Sequence, residues 1–330
     1  MATDAGTAPK QAAVVYNPIK VDLEQLQTTV NAAAEAAGWL VPLWFGTTEE
    51  DIGQLVTKEA VKQGATLVFA AGGDGTVRAV AEGLRDTGAA IALLPQGTGN
   101  LLARNLEISV NDLDADVDAG FNGIDRKIDL GIAEIVRENG DKEEHAFLVM
   151  AGLGIDAKMI SNTNPKLKKA VGWLAYVDAI GRSLPDVKPV KLRYSIDGSP
   201  QRTTTVHSIM VGNCGQLPGG ILLLPDAKPD DGILDIAALR PRGPFGWIKI
   251  WNKVAWENGV LRKSAVGRKI IDLSKDVKDV IYLTGKDLRL TVETPQEFQL
   301  DGDEFGEAKS VRAWVDAGAL VVKMPASAGA

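Results

Sequence analysis

One three-part pattern occurs twice within a short stretch of this chain, and it narrows the fold more than any other feature. The apolar run Thr66-Leu67-Val68-Phe69 leads into Ala70-Ala71-Gly72-Gly73-Asp74-Gly75-Thr76 and then a helix-like segment at 77–84. Ile91-Ala92-Leu93-Leu94-Pro95 leads into Gln96-Gly97-Thr98-Gly99-Asn100 and a helix-like segment at 101–106. A further strand, Ala13-Val14-Val15-Tyr16, ends at Asn17-Pro18-Ile19-Lys20. Strand, glycine turn and helix in alternation predict a mainly parallel sheet with helices on its faces. In such sheets the turns after successive strands share one edge, where ligands bind.

The GGDG turn is expected to use its glycines for positive φ and for close backbone approach to a ligand. The helix that follows would aim free N–H groups and its positive dipole end at an anion such as phosphate. Asp74 repels phosphate unless a cation stands between them, so the pairing suggests nucleotide plus Mg²⁺. The same residues also suit a tight turn with no ligand. No G-x-x-x-x-G-K-[ST] occurs, which excludes a P-loop enzyme.

Residues 1–128 read as this α/β unit, with helices expected at 25–38 and 49–64. Residues 129–330 read as a mainly β layer, a sandwich interrupted by two helices, and the extreme C-terminus is expected to pack back on the first unit. Ala146-Phe147-Leu148-Val149-Met150, Lys191-Leu192-Arg193-Tyr194-Ser195-Ile196 and Thr203-Thr204-Thr205-Val206 are strand-like, and Asp197-Gly198 and Asp231-Gly232 are turn signals. At 330 residues and 45% hydrophobic content, two packed cores are expected. A net charge of −7 argues against nucleic-acid binding, and the single Cys214 suits a reducing cytosol. No run reaches the roughly 18 apolar residues of a membrane span, and the first ten residues lack the pattern of a signal peptide.

The order NP, GGDGT, GTGN resembles the catalytic domain of the diacylglycerol kinase family, which is related to sphingosine and ceramide kinases. Pro218-Gly219-Gly220, the segment from Pro225 to Asp235 containing Asp230-Asp231-Gly232, and Leu300-Asp301-Gly302-Asp303 continue the likeness, which spans nearly the whole chain. The resemblance implies an α/β nucleotide domain joined to a β-sandwich lipid domain, with a site in the cleft between them. It implies ATP on Asn17, Gly72, Gly73, Asp74, Gly75, Thr76, Gly97, Thr98 and Asn100, with Thr47 or Thr48 as a further nucleotide contact. Without the family, Thr47-Thr48 before Glu49-Glu50 reads as a helix N-cap.

Asp303 falls where the family places a glutamate base for the lipid hydroxyl. Asp301 is its orienting or metal-linked partner, and Asp-Gly-Asp is also turn sequence. The resemblance implies Mg²⁺ on the Asp231 side chain and the carbonyls of Lys228 and Ile233, with Asp129 linking that ion to Asp74 through water. Three positions depart from the family pattern. Asp303 is one methylene short, Leu101 replaces an Asp, and Ile19-Lys20 replaces a Ser-Gly pair, which leaves Lys20 either a phosphate contact or a solvated side chain.

Basic residues and tryptophans are interleaved from Arg240 to Lys269, around Trp247, Trp251 and Trp256. Lys166, Lys168, Lys169, Trp173 and Tyr176 form a second such stretch. Both suit an anionic membrane surface, and both also suit core packing beside solvated lysines. The expectation is a cytoplasmic, peripherally membrane-associated lipid kinase using ATP and Mg²⁺, with a homodimer open. A small-molecule kinase like NAD kinase and a catalytically weak sensor of lipid or nucleotide are the alternatives.

Overall fold

The computed structural model describes residues 10–153, 189–217, 221–241 and 279–326. The chain divides into two compact units, Met1–Ile128 with Gly318–Ala330, and Asp129–Ala317.

The first unit holds β1 (Gln11–Tyr16), α1 (Leu23–Ala36), β2 (Leu43–Gly46), α2 (Gln54–Lys62), β3 (Ala65–Gly72), α3 (Asp74–Leu84), β4 (Ala90–Pro95), α4 (Leu101–Asn105) and α5 (Leu113–Asn122). The strands are parallel in the order β4-β3-β1-β2. Their side chains alternate by two, so Ala12, Val14, Leu67, Phe69, Ala92 and Leu94 form one buried face. Leu26 and Val30 of α1 and Val117 and Phe121 of α5 cover that face. Asp22 starts α1 by accepting the Gln25 amide at 3.1 Å, a standard N-cap.

The second unit is built from β5 (Ile124–Val136), β6 (Lys142–Phe147), β7 (Met150–Leu153), β8 (Val190–Ile196), β9 (Arg202–Val206), β10 (Ser208–Gly212), β11 (Gln216–Leu217), β12 (Ile221–Leu222), β13 (Leu234–Leu239), β14 (Val280–Gly285), β15 (Asp287–Leu300) and β16 (Asp303–Met324). β5 starts, and β16 ends, within the first unit's residues, where Val321 and Val322 pair parallel with Ala90 and Ile91 of β4. Antiparallel pairing runs β14-β13-β10-β7-β15-β16. β15 serves two partners. Leu288–Val292 pairs with β8, and Phe298–Leu300 pairs with β7. Irregular register between Thr291 and Gln296, around Pro295, separates the two halves. The core is apolar, with Phe147, Leu153, Val211, Ile236, Leu290 and Phe298 among its buried residues.

Two expectations are corrected. The helix expected from 49 begins at Gln54, because Thr48 Oγ1 accepts the Asp51 amide and the Asp51 carboxylate accepts the amides of Gly53, Leu55 and Val56. This local bonding holds 48–53 in a turn, with Gly53 at φ 138°. Thr47 and Thr48 are therefore not the helix cap. The single strand expected at 146–150 is two strands, β6 and β7, broken at Leu148-Val149 by a contact from Asp301 described below. The two helices expected within the β region lie outside the described residues.

Candidate active site

The ends of β1, β2, β3 and β4 lie along one edge of the first unit's parallel sheet. Thr47 continues the ladder by donating its amide to Tyr16 O at 2.9 Å, and Asn17 does so by donating to Ala71 O at 2.9 Å. Gln96 donates to Gly72 O at 2.9 Å, which joins the two glycine motifs. Thr47 is buried, whereas Thr48 is exposed with its hydroxyl engaged by Asp51.

The strand-to-helix turn is shorter than expected. β3 ends at Gly72, α3 begins at Asp74, and Gly73 alone joins them. Gly72, Gly73 and Gly75 do not take positive φ, which corrects the expectation from the GGDG sequence. Crowding explains the glycines instead. A Cβ on Gly72 would stand 2.6 Å from Thr76 Oγ1, and one on Gly73 would stand 2.6 Å from Lys20 Nζ.

Lys20 thus lays its ammonium against the start of α3. Gly73 at the N-cap has no side chain to bond the first-turn amides. Among the described residues no carboxylate pairs with Lys20. A cation and the positive end of a helix dipole face the same place, an arrangement that an anion would relieve.

Asp74 turns away to the other motif. Its Oδ2 accepts the Asn100 amide at 3.0 Å and its Oδ1 the Leu101 amide at 2.5 Å, so it caps α4. Asn100 sits in the left-handed region at φ 48° and folds its carboxamide onto Gly97, accepting from the amide and donating to the carbonyl, each at 2.9 Å. Thr98 is exposed beside it. The two motifs are one bonded structure, with Asp74 and Asn100 as its internal ties.

In the second unit, Asp301-Gly302 is a two-residue hairpin turn between β15 and β16, with Leu300 paired to Asp303. Both turn residues have positive φ, 50° and 91°, as a type I′ hairpin requires. Asp301 is buried. Its carboxylate accepts three backbone amides, those of Leu148 at 2.8 Å, Val149 at 2.8 Å and Met150 at 2.9 Å. Asp301 therefore anchors the 148–150 segment. Asp303 is exposed at the first position of β16.

The Pro225–Asp235 segment reaches Asp129 directly. The Asp129 amide donates to Pro229 O at 2.6 Å, and its Oδ2 accepts the Gly232 amide at 2.7 Å. Asp231 Oδ1 accepts the Ile233 amide at 3.1 Å. Burial, with the charges of Asp231 and Asp226 beside it, raises Asp235 to about 6. Among the described residues no three His, Cys, Asp or Glu side chains converge as a metal cage. A cation here would rest on Asp231, the carbonyls of Lys228 and Ile233, and water. That oxygen donor set fits Mg²⁺, which usually keeps several waters.

Sequence reasoning missed Asp235 as part of this charged group, and it missed Asn213, treated below. A carboxylate three residues after Asp-Asp-Gly was the available signal for the first. The Pro218-Gly219-Gly220 motif and both tryptophan and basic stretches, except Arg240 and Pro241, lie outside the described residues. Among the described residues no helix is long and apolar enough to cross a membrane.

Two family models match this chain. The diacylglycerol kinase catalytic domain matches residues 11–133, and the YegS C-terminal NAD kinase beta sandwich-like domain matches 149–266. Together they define a kinase of two domains, a parallel α/β catalytic domain followed by a β-rich sandwich-like domain. A probable lipid kinase YegS-like protein of Pseudomonas aeruginosa strain PAO1 is 31% identical over 308 residues, covering 92% of this chain and 90% of the relative. Its Pseudomonas putida KT2440 counterpart is 34% identical over 205 residues, covering 62% of this chain and 65% of the relative, just under two thirds of its length. This chain belongs to the YegS-like lipid kinase family. A crystal structure of a diacylglycerol kinase from Bacillus anthracis strain Sterne shares the fold, with a TM-score of 0.67 at 20% identity over 98% of this chain and 100% of that one.

Proposed function

We propose that this kinase transfers the γ-phosphoryl group of ATP, with Mg²⁺, to a hydroxyl of diacylglycerol or a related lipid. The observation that carries the reading is the Lys20 ammonium held against Gly73 at the positive end of α3. A phosphate chain placed there would meet a lysine, backbone amides and the glycine-lined edge formed by the two motifs.

The acceptor side draws on the second unit. Asp303 is the general base. It takes the proton as the lipid oxygen bonds to the γ-phosphorus, while the bond from that phosphorus to the bridging oxygen breaks and ADP leaves. Such transfer is mainly positioning and electrostatics. When bound at Asp231, Mg²⁺ would supply charge neutralisation beside Asp226 and Asp235. The basic and tryptophan stretches support a peripheral place at the cytoplasmic membrane surface.

The test is transfer from γ-labelled ATP with Mg²⁺ into a total lipid extract, with NAD and sphingosine as parallel acceptors. A labelled lipid supports the reading, and its mobility narrows the acceptor. Label in NADP alone, or ATP binding with no labelled product, overturns it.

A further inference from the structure

Asp301 and Asp231 belong to motifs far apart in the chain, and antiparallel pairing brings both to one end of the second unit's sheet. Gly212, the last residue of β10, pairs with Met150 on one side and Asp235 on the other. Leu300 lies next along, paired with Ala151. Asn213 follows Gly212 and sits in the middle of this end, fully buried.

Its bonds reach both motifs. The Asn213 amide donates to Val149 O at 2.9 Å. Its Nδ2 donates to Leu148 O at 3.2 Å and to Asp129 O at 2.8 Å. Leu148 and Val149 are residues whose amides bond the Asp301 carboxylate. Asp129 is the residue bonded to Pro229 and Gly232 around Asp231. One carboxamide therefore joins the segment that anchors the Asp301-Gly302-Asp303 hairpin to the residue that anchors the Asp231 turn.

Among the described residues no donor reaches the third polar atom, the buried Oδ1. The amide cannot flip to relieve it, because Oδ1 would then face two carbonyls. A buried acceptor left unsatisfied is destabilising. The two Nδ2 bonds fix the carboxamide in this orientation.

We propose that Asn213 is a positioning residue for phosphoryl transfer, holding the Asp303 hairpin and the Asp231 turn in one register. The proposal rests on the kinase reading above. It acts through geometry, since a displacement of about 1 Å at a reacting group costs about a hundredfold in rate.

The test compares wild type with Asn213→Ala, which removes both Nδ2 donors, and Asn213→Ser, which keeps one. Hydrogen exchange is followed at the amides of Leu148, Val149, Met150 and Gly232. Kinetics are measured with ATP, Mg²⁺ and a short-chain diacylglycerol in detergent micelles. In Asn213→Ala both segments should exchange faster together. Its kcat should fall about tenfold to a hundredfold, with KM for ATP within about twofold of wild type. Asn213→Ser should recover part of kcat. If the alanine variant does not fold, the serine variant is compared with wild type on the same readouts. Faster exchange in only one segment, or wild-type kcat in folded Asn213→Ala, overturns the proposal. Wild type that phosphorylates no lipid overturns the kinase reading instead, and exchange still decides whether Asn213 couples the two turns.

Discussion

The carboxylate of Asp74 caps the backbone amide of Leu101 at 2.5 Å, joining the first turn of α3 to the first turn of α4. The same carboxylate accepts from Asn100 at 3.0 Å, so the two glycine motifs share one tie. Asp74→Ala should lower stability by about 1–2 kcal/mol, the usual loss of a helix cap. Asp74→Asn keeps an acceptor and should cost less. Urea unfolding of the two variants tests this, and equal stability of wild type and Asp74→Ala would refute the capping role.

Lys20 makes a separate prediction on the donor side. Lys20→Met should weaken ATP binding about tenfold, the scale of a charge-assisted contact, and Lys20→Arg should recover part of it. Titration calorimetry with a non-hydrolysable ATP analogue reads this directly. Unchanged affinity in Lys20→Met would leave Lys20 a solvated side chain.

Asp301 and Asp303 should separate cleanly although only one residue lies between them. Asp301→Ala leaves three backbone amides without their carboxylate and should cost about 3 kcal/mol or more, seen as a large drop in melting temperature. Asp303→Ala should melt like wild type, bind ATP and transfer no phosphate, whereas Asp303→Glu should remain active. Loss of ATP binding in folded Asp303→Ala would remove the assignment of Asp303 as base.

Asp116 gives a pH dependence in the first unit. Burial, with Asp112 beside it, raises this α5 carboxyl from its usual 3.8 to about 7. Between those values the folded protein holds a proton that the unfolded chain has released. Stability from this group therefore falls as pH rises from about 4 to 7, and the penalty is complete above 7. Asp116→Asn should flatten that slope and raise the melting temperature at pH 8. A slope unchanged in Asp116→Asn would assign it to other groups.

Much of the first unit was legible because its signals are local. The apolar runs at Ala13, Thr66 and Ile91 are β1, β3 and β4, and Asp22 and Gly38 bracket α1 where the pattern predicts a helix. The start of α2 was hidden because Thr48 and Asp51 bond nearby amides in place of a helical turn. The order of GGDGT and GTGN was visible, but not that Asp74 and Asn100 serve the turn itself.

Residue order and period by themselves determined the alternation of strand and helix, the motifs and the family, since each depends on neighbours within a few positions. Tertiary structure alone decided that Asp301 breaks a predicted strand at Leu148, that Lys20 lies against Gly73, and that Asn213 bonds residues on both sides of two distant turns. Those contacts depend on which strand ends the antiparallel and parallel pairings bring together, and pairing register is a property of the folded sheet rather than of any local run of residues.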